Sequence, residues 1–199
     1  DALASRAGPD QGETAPARRG RSTSVDGIRR IALALAEALA FVHSKGILHR
    51  DLKPSNVLLS ADGQPRLLDF NLSADEQAND NRFGGTLPYM SPEQLRSIVG
   101  PAASAAAALD VRADLYSLGV ILYELLSGRH PFGPIPLNLN TEELRVFLLE
   151  RQSRGPSALR EANPRVDRRL AEIVEGCLAF DRDDRPESAA VLTAALRKC

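Results

Sequence analysis

Six consecutive residues, Asp51-Leu52-Lys53-Pro54-Ser55-Asn56, place a carboxylate, an ammonium and a primary amide close together, directly after His49-Arg50. Held on one rigid loop, Asp51 can position a hydroxyl, Lys53 can neutralise a phosphate, and the amide oxygen of Asn56 can ligate a hard cation. A second carboxylate, Asp69, follows at a distance that short elements could close.

Those elements read as an amphipathic helix and a hairpin. Apolar residues recur at Ile28, Ile31, Leu35, Leu39 and Val42, one stripe of a helix that Ser24 can cap and Gly46 can end. After the charged run come Val57-Leu58-Leu59, an Asp62-Gly63 turn and Arg66-Leu67-Leu68. This is a hairpin signal that holds the polar loop on one side and Asp69 on the other. Residues 72–85 are polar without a period and are expected to form a mobile loop. Pro92 and Glu93 open a short helix through Leu95, and the alanine-rich 101–109 reads as helix or flexible insertion. Leu115, Leu118, Gly119, Ile121, Leu122 and Leu125 are apolar on more than one face, so their helix belongs in the centre of the domain; Gly128 and Pro131 close it. Two further amphipathic stretches cover 141–152 and 166–179, and Pro186 is expected to start a last helix ending near Leu196. The expected fold is mainly α with one small β-hairpin.

The composition, 199 residues with 43% hydrophobic content, is that of one globular domain able to bury a core. A formal net charge of -1 gives no global attraction to nucleic acid, and the one tight basic run, Arg18, Arg19 and Arg21, sits in a stretch that reads as a solvated connection. Cys177 and Cys199 suggest neither a disulfide framework nor a zinc site, which fits a reducing, cytoplasmic compartment. The apolar stretches 31–42 and 118–126 are short and each contains a glutamate, so no membrane segment is expected. The first residue is Asp1 rather than methionine, as expected of an excerpt from a longer chain.

In sequence order, His49-Arg50-Asp51, Asp51-Leu52-Lys53-Pro54-Ser55-Asn56, Asp69-Phe70-Asn71, Gly85-Thr86, Ser91-Pro92-Glu93, Asp114-Leu115-Tyr116-Ser117-Leu118-Gly119 and Arg185-Pro186 match one pattern. With them the chain resembles the C-terminal lobe of a eukaryotic-type protein kinase, of the serine/threonine class found also in bacteria. The resemblance covers roughly residues 25–199, with 1–24 as a flexible connection after the interlobe hinge. It implies ATP and Mg²⁺ as cofactors and a protein Ser/Thr hydroxyl as acceptor. Asp51 would be the catalytic base, Lys53 would touch the transferring phosphoryl group, and Asn56 and Asp69 would hold the metal. His49 and Phe70 would stack in the spine that links the lobes, and Asp114 would accept hydrogen bonds from the catalytic-loop backbone. Glu93 and Arg185 would form a buried ion pair. Thr86, paired with Lys53, is the serine/threonine pattern on the substrate side.

Arg50 would ordinarily pair with a phosphorylated loop residue, yet no Ser, Thr or Tyr lies between Ser73 and Thr86; Asp75, Glu76 or Asp80 are expected to substitute as a constitutive anion. Two smaller departures are Asn71 where the family has glycine and Ser91 where it usually has alanine. The large departure is the absence from these residues of the Gly-rich loop, the strand lysine and the helix glutamate of the N-terminal lobe. The fragment alone is therefore expected to be nearly inactive, with an apolar interlobe face left for the missing lobe or another partner. Two rival readings are a pseudokinase, using the lobe as a protein-binding module, and a small-molecule kinase of related fold. Retention of Asp51, Lys53, Asn56 and Asp69 argues against the first; the Ser-Pro-Glu segment and the Asp114 helix argue against the second.

Overall fold

A computed structural model of the protein describes residues 24–70, 86–98 and 109–199. Among these, seven α-helices and one two-stranded sheet form a mainly helical lobe. Residues 1–23, the loop at 72–85 with Asn71, Asp75, Glu76 and Asp80, and most of the alanine-rich stretch lie outside the described residues.

Helix α1, Ser24–His43, buries Ala32, Leu35, Ala36 and Leu39, while Ile28, Ile31 and Val42 pack at the margin of the same face. The buried stripe has shifted toward the alanines, whose small side chains permit close approach of the last helix. Ser24 is itself helical rather than a flanking cap. At the other end, Gly46 takes φ 73 and donates its N–H to His43 O at 3.0 Å, while Ile47 N–H reaches Val42 O at 3.2 Å. This pair of bonds closes the open carbonyls of the final turn and sends the chain back toward the core.

Strands β1 (Val57–Leu59) and β2 (Pro65–Leu67) pair antiparallel, with Val57 opposite Leu67 and Leu59 opposite Pro65. The second strand lies one residue earlier than its apolar run suggested. Leu68 N–H still donates to Asn56 O at 2.9 Å, extending the ladder to the residue before Asp69.

Helix α2 (Pro92–Ser97) is short, and α3 (Val111–Ser127) is the central element. Its start, which the apolar pattern did not reveal, is capped by Asp110, whose carboxylate accepts Arg112 N–H at 2.8 Å. Leu115, Tyr116, Leu118, Val120, Ile121, Leu122, Tyr123 and Leu126 are all buried, so α3 is enclosed on every side except near Leu125, which stays exposed. Gly128, at φ 73, ends it. Of the following helices, α4 (Thr141–Ser153) packs against α2 and residues 87–89 in a small second core of Leu87, Leu95, Leu144 and Leu148, while α5 (Leu159–Ala162), α6 (Arg168–Cys177) and α7 (Ala189–Leu196) pack around α3. The one-turn α5 had no sequence signal, and α7 starts later than Pro186: Ser188 accepts Val191 N–H at 3.2 Å as its cap.

Helices α3 and α6 touch at Gly119. A Cβ there would lie 2.8 Å from Cys177 Cβ and 3.2 Å from a Leu178 methyl, closer than side chains pack. Gly119→Ala is therefore expected to destabilise the lobe by about 1–3 kcal/mol, read as a lowered urea midpoint at unchanged slope.

Candidate active site

Asp114 occupies the first turn of α3 and is only 2% exposed. Its Oδ1 accepts Arg50 N–H at 2.8 Å, and its Oδ2 accepts His49 N–H and His43 Nε2–H, each at 2.8 Å. Facing a carboxylate, which only accepts, His43 must carry its proton on Nε2. The three donors replace the water that burial removes. Asp114 thus grips the loop backbone; His43 carried no sequence signal, because its partner lies on another helix.

That grip holds an unusual backbone. Arg50 (φ 64) and Asp69 (φ 52) are the non-glycine residues at positive φ among the described residues, a conformation costing of order 1–3 kcal/mol each. Arg50 is fastened from both sides, since Gln94 Nε2–H donates to its carbonyl at 2.8 Å. The turn that follows returns Asp51 N–H to His49 O at 2.9 Å.

Asp51, Lys53 and Asn56 then converge. Lys53 Nζ lies 2.8 Å from Asp51 Oδ2 and donates to Thr86 Oγ1 at 2.9 Å. The 3₁₀ turn Pro54–Asn56 swings the buried Asn56 amide back, so that Nδ2–H donates to Asp51 O at 2.7 Å and reaches Asp51 Oδ2 at 3.3 Å. Both partners are acceptors, which fixes the amide orientation and leaves the Asn56 oxygen without a side-chain or backbone donor among the described residues. Asp51 Oδ1 is buried and has no hydrogen-bond partner among the described residues. A carboxylate oxygen in that state can accept a hydroxyl proton, with Lys53 beside it to counter negative charge.

Asp69 is joined to this loop through its neighbours. His49 Nε2–H donates to Leu68 O at 2.9 Å, and the His49 and Phe70 rings lie 4.8 Å apart at a 47° tilt. Asp69 itself is exposed. Among the described residues no group of three or more His, Cys, Asp or Glu side chains is arranged to hold a metal ion. The oxygens available are the exposed Asp69 carboxylate and the Asn56 amide, the hard donors that Mg²⁺ takes alongside water and phosphate. Leu58 and Leu68, on one side of the hairpin, are 50% and 37% exposed, and Leu59, on the other, is 53% exposed, so apolar side chains stand open on both sides of the strand pair beside these groups.

Beyond Thr86, the 3₁₀ turn Leu87–Tyr89 is pinned to the helices. Tyr89 O–H donates to Glu124 Oε2 at 3.0 Å, Ser117 O–H to Tyr89 O at 2.7 Å, His130 Nε2–H to Pro88 O at 3.0 Å, and Gln152 Nε2–H to Met90 O at 2.9 Å. Burial pushes the Glu124 carboxyl up, only partly offset by the Tyr89 bond, and pushes His130 down. Cys177 is a free thiol in the core, pushed up to about 12 by burial and so inert as a nucleophile.

Glu93 and Arg185 are joined bidentately, Nη1 to Oε1 at 2.7 Å and Nη2 to Oε2 at 2.9 Å. Arg185 also donates to Ala179 O, Arg112 O and Phe180 O, and its guanidinium stacks 4.8 Å above the Tyr116 ring. Every N–H of the guanidinium is therefore used. Burial raises the Glu93 carboxyl, but the hydrogen bonds and charge of Arg185 outweigh it and hold the group below its ordinary value. Arg185→Met strands that carboxylate and is expected to cost about 3–5 kcal/mol at neutral pH. Because the folded-state value is depressed, the pair's contribution is complete above about pH 4.3 and is lost as pH falls through the lower folded value. Urea unfolding from pH 7 to pH 3 should show that acid-side loss in the native chain and a smaller one in the variant.

The model of the protein kinase domain family matches residues 11–196. The chain is 41% identical over 175 residues to serine/threonine-protein kinase pkn2 of Myxococcus xanthus, covering 81% of this chain and 19% of that protein. It is 36% identical over 162 residues to the DNA damage-responsive serine/threonine-protein kinase RqkA of Deinococcus radiodurans, covering 79% and 22%. It is 34% identical over 166 residues to serine/threonine-protein kinase PknB of Mycobacterium leprae, covering 80% and 24%. The chain thus spans about a fifth of the length of the curated relatives it matches. With its helical lobe and single hairpin, this chain belongs to the protein kinase domain family, as the C-terminal lobe of a bacterial-type serine/threonine kinase domain.

Proposed function

We propose that the parent protein transfers the terminal phosphoryl group of Mg-ATP to a Ser or Thr hydroxyl of a protein, and that this chain supplies the acceptor side of the site. The observation that carries the reading is the unpaired, buried Oδ1 of Asp51, held beside Lys53 and Asn56 on a loop fastened by Asp114. Asp51 Oδ1 takes the hydrogen bond of the incoming hydroxyl and orients it, then accepts its proton. Lys53, between Asp51 and Thr86, balances the charge that spreads over the transferring oxygens and aligns the acceptor with Thr86. Asn56 and Asp69 are the residues that would hold Mg²⁺, which supplies neutralisation of the phosphate oxygens when bound.

The hairpin with its exposed Leu58 and Leu68 belongs to the interlobe face, where an ATP-binding lobe or another partner completes the clamp. Residues 1–24 are the connection that leads from it. Phosphoryl transfer depends on positioning between two walls, so the 199-residue chain alone is nearly inactive. Its two free cysteines agree with a reducing, cytoplasmic setting; no helix among the described residues is long and apolar enough to cross a membrane.

In the full-length protein, Asp51→Asn should lower kcat for a Ser/Thr peptide by about 10²–10⁴ while leaving ATP affinity nearly unchanged. An Asp51→Asn protein as active as the native one would refute the assignment. Robust Mg-ATP phosphotransfer by the isolated chain, abolished by the same change, would overturn the inactivity of the fragment.

A further inference from the structure

We propose that Gln94 is a positioning residue for Asp51, acting through the carbonyl of Arg50, and that this second task is why the third helical position of α2 carries an amide. The inference rests on the kinase reading of Asp51. Gln94 is buried, and its two ends do different work. Its Oε1 accepts Ser91 N–H at 3.0 Å and lies 3.2 Å from Ser91 Oγ, one half of a reciprocal helix cap whose other half is Gln94 N–H to Ser91 Oγ at 3.4 Å. Because Ser91 N–H can only donate, the amide orientation is fixed, and Nε2 is the end that faces Arg50. Nε2–H then donates to Arg50 O at 2.8 Å.

Arg50 sits at φ 64, a conformation that must be held by its surroundings. Its N–H is taken by Asp114 Oδ1 and its carbonyl by Gln94. That carbonyl belongs to the peptide linking Arg50 to Asp51, so its direction sets where the Asp51 side chain begins. Glutamate would serve the helix cap equally well, as it does at Glu143 in α4, where Asn140 N–H donates to Oε2 at 2.9 Å. A carboxylate at position 94, however, has no proton to give and would set a negative charge against the Arg50 carbonyl. A helix cap alone would accept either residue; the link to the catalytic loop accepts only the amide. The same α2 turn carries Glu93 on Arg185, so Gln94 ties the Asp51 loop to the most fully bonded side chain of the lower helices.

The test is Gln94→Glu in the full-length protein, with three readings: thermal midpoint, kcat and KM for a Ser/Thr peptide with Mg-ATP, and amide hydrogen exchange across residues 47–53. The expected result is a midpoint within a few degrees of native, kcat lowered about ten- to a hundredfold with KM little changed, and faster exchange at 47–53 but not in α6. Native exchange and native kcat in the variant overturn the proposal, as does a uniform loss of protection across the whole lobe. Should charge burial unfold Gln94→Glu, the isosteric, uncharged Gln94→Met decides by the same readings. A native full-length protein without phosphotransfer would remove the kinase reading, while the exchange at 47–53 still decides whether Gln94 holds the loop.

Discussion

The carboxylate of Asp114 is the constraint on which the site depends. Two successive backbone N–H groups, of His49 and Arg50, converge on its two oxygens, and that geometry requires a bent chain with Arg50 at positive φ. A buried carboxylate is costly unless its oxygens are occupied, and a backbone in a rare conformation is costly unless something holds it. Here each cost is offset by the other. His43, donating to the same Oδ2 from the end of α1, adds the outer helix to the arrangement. The enclosed helix α3 gives Asp114 a rigid base, so the loop of Asp51 is referred to the centre of the domain rather than to its surface.

A second fixed point lies at Arg185. It draws together α2 through Glu93, the start of α3 through the Arg112 carbonyl, and the segment after α6 through Ala179 and Phe180. The turn at Leu87–Tyr89 and Met90 after it hang between these two points, the turn bonded to Ser117 and Glu124 of α3 and to His130, and Met90 O to Gln152 of α4. The loop with Asp51 and the turn after Thr86 are thus both referred to α3, through Asp114 and through Ser117 and Glu124, and the Lys53 side chain links the loop to Thr86 directly.

How much of this was legible in the residues depends on range. The amphipathic α1, the apolar α3, the hairpin turn and the Gly46 and Gly128 stops follow from local pattern, and they appear where the pattern puts them. Boundaries shifted where one cap displaced another: Ser188 rather than Pro186 opens α7, since a side-chain acceptor for a free N–H outweighs a preset φ. The one-turn α5 is too short to carry a period. Asp51, Lys53, Asn56 and Thr86 stood out by their order, and the structure brings them into contact. His43 and the outward bond of Gln94 could not be read, because each joins residues far apart in sequence. The Ser91-to-Gln94 spacing does announce a cap, though not what its spare N–H would reach.

His49 holds the two halves of the site to one another. Its backbone N–H is on Asp114, its ring N–H is on Leu68 O, and its ring face meets Phe70, the residues on either side of Asp69. The loop of Asp51 and the strand end of Asp69 thus share a common origin of coordinates. Since His49 is itself fastened to Asp114, the strand end at Asp69 is referred to the same buried helix that holds the loop of Asp51, and the separation of the two carboxylates is set in the frame of α3. One imidazole thus registers, against a single helix, two carboxylates carried by different segments of the chain.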